Sequence, residues 1–152
     1  MPLRAKFYIA LVLTSGLTGL AQQLLHFAPS NPYFFWPFFV ITVLTSGVKV
    51  RLPMVTVTLS VNFLFILVGI VQFSLPEALA IAAAGTIVQC VWQAKARPRL
   101  IQVAFSTCSI CLAVVAGHEV FHGPLYTILG KDNFILLGLT AAVYFFVNTV
   151  LV

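Results

Sequence analysis

No Asp, Glu, Lys or Arg occurs between Lys6 and Lys49, between Arg51 and Glu77, between Arg99 and Glu119, or after Asp132. Such runs are too apolar for a surface that faces water. They suit a hydrocarbon layer about 30 Å thick, which a helix crosses in roughly 20 apolar residues. Backbone groups in lipid must find their hydrogen bonds within the segment, so helices are the natural form for these runs. Over the 152 residues only 7% are charged against 61% hydrophobic, where a soluble domain carries about a quarter charged. The predicted fold class is all-α: a polytopic transmembrane helix bundle, a single domain over residues 1–152 with the lipid bilayer as its first partner.

Six segments carry this pattern: residues 7–25, 33–48, 54–73, 75–94, 100–119 and 133–152. The second is short and holds Pro37 within NPYFFWPFF, which predicts a kink or tilt, and its aromatic residues suit a membrane interface. The N-terminal MPLRAKF leads into an apolar run too long for a cleaved signal, so the first segment is read as a true helix. The stretch MVTVTLSVNF alternates as a strand would, but a lone strand in lipid leaves its backbone unpaired, so a helix is expected there, with Thr58 and Asn62 on one face and Thr56 and Ser60 on another.

Cations fix the orientation. Arg4 and Lys6 precede the first segment, Lys49 and Arg51 follow the second, and Lys95, Arg97 and Arg99 follow the fourth; only Lys131 falls in a loop of the other set. Seven of eight cations on alternate loops is the positive-inside pattern. It predicts six crossings of a membrane with both termini cytoplasmic. The formal charge of +5 is accounted for in this way, and no basic, aromatic-interleaved patch is present for a nucleic acid. Cys90, Cys108 and Cys111 fall inside apolar segments and are expected as packing residues rather than disulfides. AIAAAG at residues 80–85, and Ser15 with Gly19, are small-residue spacings that permit close helix approach, within the chain or in a helix-mediated homodimer.

Polar residues inside such segments are the informative ones. Counted from the chain's turns, Asn62, Gln89 and Asn148 reach a similar depth in the inner half, with Asn62 roughly 13 Å from the cytoplasmic side. Two readings stand for this layer: hydrogen bonds that set helix register, or a ligand or ion path. On the outer side stand Gln22, Gln23, His26, Gln72, Glu77, His118, Glu119, His122 and Asp132, which include every histidine and acid of the chain. They are either the ordinary polar residues of short loops or a group that binds a cation or polar ligand, or titrates.

GHEVFHG, residues 117–123, contains His-Glu-x-x-His, the helical pair of zinc peptidases. A catalytic zinc needs a third protein ligand. His26, Glu77 and Asp132 are the candidates, each on another segment. After His122 comes GPLYTIL rather than the x-x-G-x-x-H continuation, Gly123 and Pro124 end the helix, and the last apolar segment has no acid. No catalytic residue, cofactor or resident metal is assigned, and His118, His122 and His26 remain the metal candidates.

The stretch TSGVKVRLPMVTVTLSVNFLFILVGIVQFSLPEALAIAAAGTIVQCVWQAKARPR, residues 45–99, and the ending AAVYFFVNTVLV resemble the N-terminal membrane sensor regions of the MASE type in bacterial cyclic-dinucleotide signalling proteins. The resemblance implies a multi-helix bundle that precedes a cytoplasmic diguanylate cyclase or phosphodiesterase domain. The apolar ending YFFVNTVLV is read in the same sense, as the front part of a longer protein. The expected function is a sensor or input module without enzymatic activity of its own. The alternatives are a small transporter or substrate-binding membrane component and, second, a metalloenzyme using His118 and His122. Asn62, Gln89, Asn148, Glu77 and Glu119 are the candidates for ligand contact or helix coupling.

Overall fold

A computed structural model describes residues 3–25, 27, 29, 31–47, 49–51, 58–92, 99–124 and 133–151. Among them are six helices: α1 (Leu3–Leu25), α2 (Pro32–Thr45), α3 (Val61–Gln72), α4 (Leu75–Trp92), α5 (Leu100–His122) and α6 (Asn133–Leu151). A two-stranded ribbon joins β1 (Lys49–Arg51) to β2 (Thr58–Ser60). Local chemistry sets the boundaries. Asn31 is extended and Pro32 opens α2 with the dihedral a first helical position wants. Ser74 and Glu77 close the start of α4 on each other. Gly123 follows α5 in an extended conformation, so the helix ends at His122 as Gly123-Pro124 predicts.

Four helices, α1, α4, α5 and α6, are long and apolar enough to cross a membrane, while α2 and α3 are apolar but shorter. The 23 residues of α5 span roughly 35 Å and the 12 of α3 about 18 Å. The expected helix over 54–73 is thus corrected to Val61–Gln72. Upstream, Thr58–Ser60 pair antiparallel with Lys49–Arg51, Ser60 opposite Lys49 and Thr58 opposite Arg51. The alternation of this stretch suits a strand's period of two. Pairing with β1 supplies the backbone partners that a lone strand would lack. Thr58 therefore does not share a helical face with Asn62, and Thr56, the expected face partner of Ser60, lies outside the described residues.

Contacts near the helix ends give the direction of each. Phe27, just past α1, packs on Phe35 at the start of α2, and Phe35 on Phe73 at the end of α3, with ring centroids 5.5 and 5.9 Å apart. That is the distal end. At the proximal end the Tyr8 hydroxyl of α1 donates to the carbonyls of Val150 and Leu151 that end α6, at 3.3 and 3.1 Å. Gly47, after α2, lies against the Trp92 ring that ends α4. Phe63, early in α3, meets Tyr144 and Phe145 late in α6. Odd and even helices therefore alternate in direction, and the chain enters and leaves the bundle at one end.

The centre is α5, which packs against α1, α3, α4 and α6. Its exposed large apolar side chains are Leu100 and Ile101, at its start. Elsewhere the exterior is apolar: Phe7 and Leu17 on α1, Tyr33, Trp36 and Leu44 on α2, Phe134 and Phe146 on α6 are all exposed, Tyr33 by 90%. A water-soluble monomer does not tolerate so continuous an apolar surface. In lipid it costs nothing, and close backbone approach replaces the hydrophobic effect as the source of helix association. Gly16 admits Cys108 of α5, and a Cβ there would stand 2.5 Å from the Cys108 Cβ. Gly117 of α5 faces Ile70 and Thr140. Ala78, Ala82 and Gly85 form the buried small-residue stripe of α4, with Ile81 buried beside them. Within the chain, Ser15 and Gly19 make no close approach to another helix among the described residues. Gly19 has open space around its Cα, and Ser15 turns its hydroxyl back to the Leu11 carbonyl at 2.8 Å.

Candidate functional site

Of the three amides expected to form one layer, two meet. Asn62 is 2% exposed, and its Nδ2 donates to Gln89 Oε1 at 3.5 Å, the outer limit of a hydrogen bond. The amide lies flat on Gly85, whose missing side chain makes room for it; a Cβ there would stand 3.0 Å from the Asn62 Cγ and closer still to its Oδ1. That Oδ1 is buried and has no hydrogen-bond partner. Asn148 also buries an unpartnered Oδ1. It follows Leu136, Thr140 and Tyr144 at four-residue steps on the packed face of α6, and it bonds to neither Asn62 nor Gln89. Asn62 is the second residue of α3, and Gln89 lies three before the end of α4, so the pair sits at the proximal helix ends, whereas a helix begun at residue 54 would carry Asn62 roughly 13 Å in. The late start of α3 accounts for the shift.

Glu77 is buried to 1% exposure in the first turn of α4. Its Oε2 accepts the Ser74 backbone N–H at 2.9 Å and the Ser74 hydroxyl at 2.6 Å. This is the glutamate half of a capping box, Ser-Leu-Pro-Glu, in which the N3 carboxylate reaches back to the residue before the helix. The same carboxylate lines a cavity of about 260 Å³ at the distal end, with Asn31, Phe34, Gln72, Phe73 and Ser74. Gln72 and Glu77, two of the expected outer group, are thus brought together. A second cavity of similar volume runs along α2 past Tyr33, Pro37 and Ile41 and has an apolar lining.

The His118 and His122 rings stack at 4.2 Å with planes 19° apart, one turn apart on α5. His118 is half-buried; His122 and Glu119 are exposed. Among the described residues no group of three His, Cys, Asp or Glu could hold a metal ion. Of the third-ligand candidates, Glu77 is engaged by Ser74, and His26 and Asp132 lie outside the described residues. Cys108 and Cys111 are buried free thiols, as packing residues would be.

Two features of these sites were not foreseen. One is Ser109, fully buried on α5 with an unpartnered Oγ. The other is the aromatic packing beside the Glu77 cavity, where Phe73, which lines it with Phe34, rests on Phe35 and Phe38. The spacing of Phe34 and Phe38 in the second segment already put them on one helical face. Compared with models of known protein families, with curated proteins and with solved structures, the chain matches none.

Proposed function

We propose that the chain is a membrane-embedded input module of a bacterial inner membrane, crossing it six times with both termini in the cytoplasm. It passes a change of helix packing through α6 to a cytoplasmic output domain. Seven of the eight cations belong by chain position to the proximal end, which supports that end as the inner one. The shared end of Tyr8 and Leu151 supports an even number of crossings. The lengths of α2 and α3, about 21 and 18 Å, ask for local thinning of the bilayer or for flanking residues to complete the crossing.

The observation that carries the reading is the incomplete pairing of buried polar atoms at helix contacts: Asn62 Oδ1, Ser109 Oγ and Asn148 Oδ1. Each unmade bond costs about 1–3 kcal/mol. A second packing that satisfies them then lies close in energy, which is what a stimulus needs in order to shift a population. The coding sequence beyond Val152 tests the proposal. A continuous frame into a cyclase, phosphodiesterase or kinase domain is expected. A stop codon directly after Val152, beside genes for a paired ATPase, would replace it with the transport reading.

A further inference from the structure

We infer that His118 and His122 form a two-ligand site for a divalent transition-metal ion, of the Zn²⁺, Ni²⁺ or Cu²⁺ class, at the distal end of α5. Neutral imidazole is the commonest protein ligand for such ions. Two histidines four residues apart stand on one helical face. Here the rings stack at 4.2 Å with planes 19° apart. With metal–nitrogen bonds of about 2.0–2.1 Å, a shared ion needs the two donor nitrogens roughly 3 Å apart. Rotation of the rings about their side-chain bonds brings them there, and the backbone keeps its place. His122 is exposed and His118 half-buried, so an ion reaches both from the distal side.

The surroundings favour a cation. The carbonyls that end a helix carry partial negative charge, and His122 is the last residue of α5. Glu119 is exposed on the same turn, between the two histidines in sequence. No Lys or Arg occurs between Arg99 and Lys131, and none stands at a distal helix end among the described residues. The ligand type then selects the ion. Mg²⁺ and Ca²⁺ ask for oxygen donors, and Cu⁺ for thiolates or thioethers. Paired imidazoles suit Zn²⁺, Ni²⁺ and Cu²⁺, with Cu²⁺ held most tightly. Among the described residues no third His, Cys, Asp or Glu joins the pair. The pair by itself makes an open chelate, whose other positions water fills.

The site also lies where the bundle registers an ion. α5 packs against α1, α3, α4 and α6. An ion held by both rings requires residues 118–122 to stay helical, and Gly123 directly after them is already extended. The ion therefore binds the ordered turn better than a frayed one. Phe121 on that turn belongs to the buried core cluster and meets the His122 ring edge-on at 5.1 Å, which ties the turn to the packing inside. The site names the ligand class of the input module proposed above and rests on that reading for its purpose. Binding is read on the bundle alone. Metal binding by a chain whose frame stops after Val152 would keep the site and remove its signalling role.

The test uses the full chain, without a polyhistidine tag, in phosphatidylcholine nanodiscs. It is titrated by calorimetry with Zn²⁺, and with Mg²⁺ as control, against empty nanodiscs as the blank. Zn²⁺ is expected to bind saturably and to raise Tm, and Mg²⁺ is not. Cu²⁺ on the same chain should show the coupling of two imidazole nitrogens in its electron paramagnetic resonance spectrum. His122→Ala alters an exposed residue and should weaken Zn²⁺ about tenfold or more, as should His118→Ala. Each should also reduce the Cu²⁺ coupling to a single nitrogen. Undiminished Zn²⁺ binding in His122→Ala, an equal response to Mg²⁺, or a Cu²⁺ spectrum without imidazole coupling overturns the site. Should His118→Ala fail to fold, His122→Ala and the Cu²⁺ spectrum of the unaltered chain decide it.

Discussion

At the scale of single residues the bundle depends on where side chains are missing. Gly85 is a seat for the Asn62 amide, and no side chain larger than hydrogen leaves that amide its place. Gly85→Ala should lower stability in detergent unfolding by about 1–3 kcal/mol, the usual cost of overpacking. Asn62→Ala in the same chain removes the colliding atoms and should recover about half of the loss, a coupling that a double-mutant cycle reads directly. Gly19→Ala is the control: with open space around it, the change should stay within about 0.5 kcal/mol. The sequence singled out Asn62 and Gln89, because an amide in an apolar run demands a partner. It did not single out Gly85 as that partner's floor or Gly16 as the seat of Cys108. Close approach is a property of two helices at once, and neither sequence stretch contains it alone.

At the scale of elements, long apolar runs were legible and their ends less so. The ranges expected for the fourth, fifth and sixth helices differ from α4, α5 and α6 by at most three residues, since Ser-Leu-Pro-Glu, Arg-Pro-Arg and Gly-Pro carry their own stop and start signals. The third helix was misjudged because Thr, Val and Ser serve strand and helix alike. Only the presence of β1 as a partner decided between them. Pairing of α5 with α6 turns on Gly117, whose missing side chain faces the Thr140 methyl at 3.4 Å and the Ile70 Cδ1 at 3.3 Å. Gly117→Ala asks those neighbours to yield slightly and should cost less than about 1 kcal/mol. Gly117→Leu adds further carbons that have nowhere to go and should cost about 2–3 kcal/mol, read as a lower unfolding midpoint.

For the whole molecule, alternation of direction was legible from charge alone, since the cations mark every second turn. The centrality of α5 was not, because all six segments are similarly apolar and hydropathy does not say which one the others surround. The topology is checked by attaching an enzymatic reporter at either end of the chain and a second at residue 125. Both end fusions should be active only in the cytoplasmic form, and the fusion at 125 only in the external form. Activity of the end fusions on opposite sides would remove the six-crossing arrangement.

The position of α5 also bears on how the chain is made. The helix against which α1, α3, α4 and α6 pack is the fifth to leave the ribosome. Until it arrives, Gly16 of α1 lacks the Cys108 side chain that occupies its place, while α3 already has α4 beside it. The packing around Gly16 is therefore completed late in synthesis. Nascent chains stalled before Leu100 should be substrates for membrane quality-control proteases, while chains that have released α5 should already resist them.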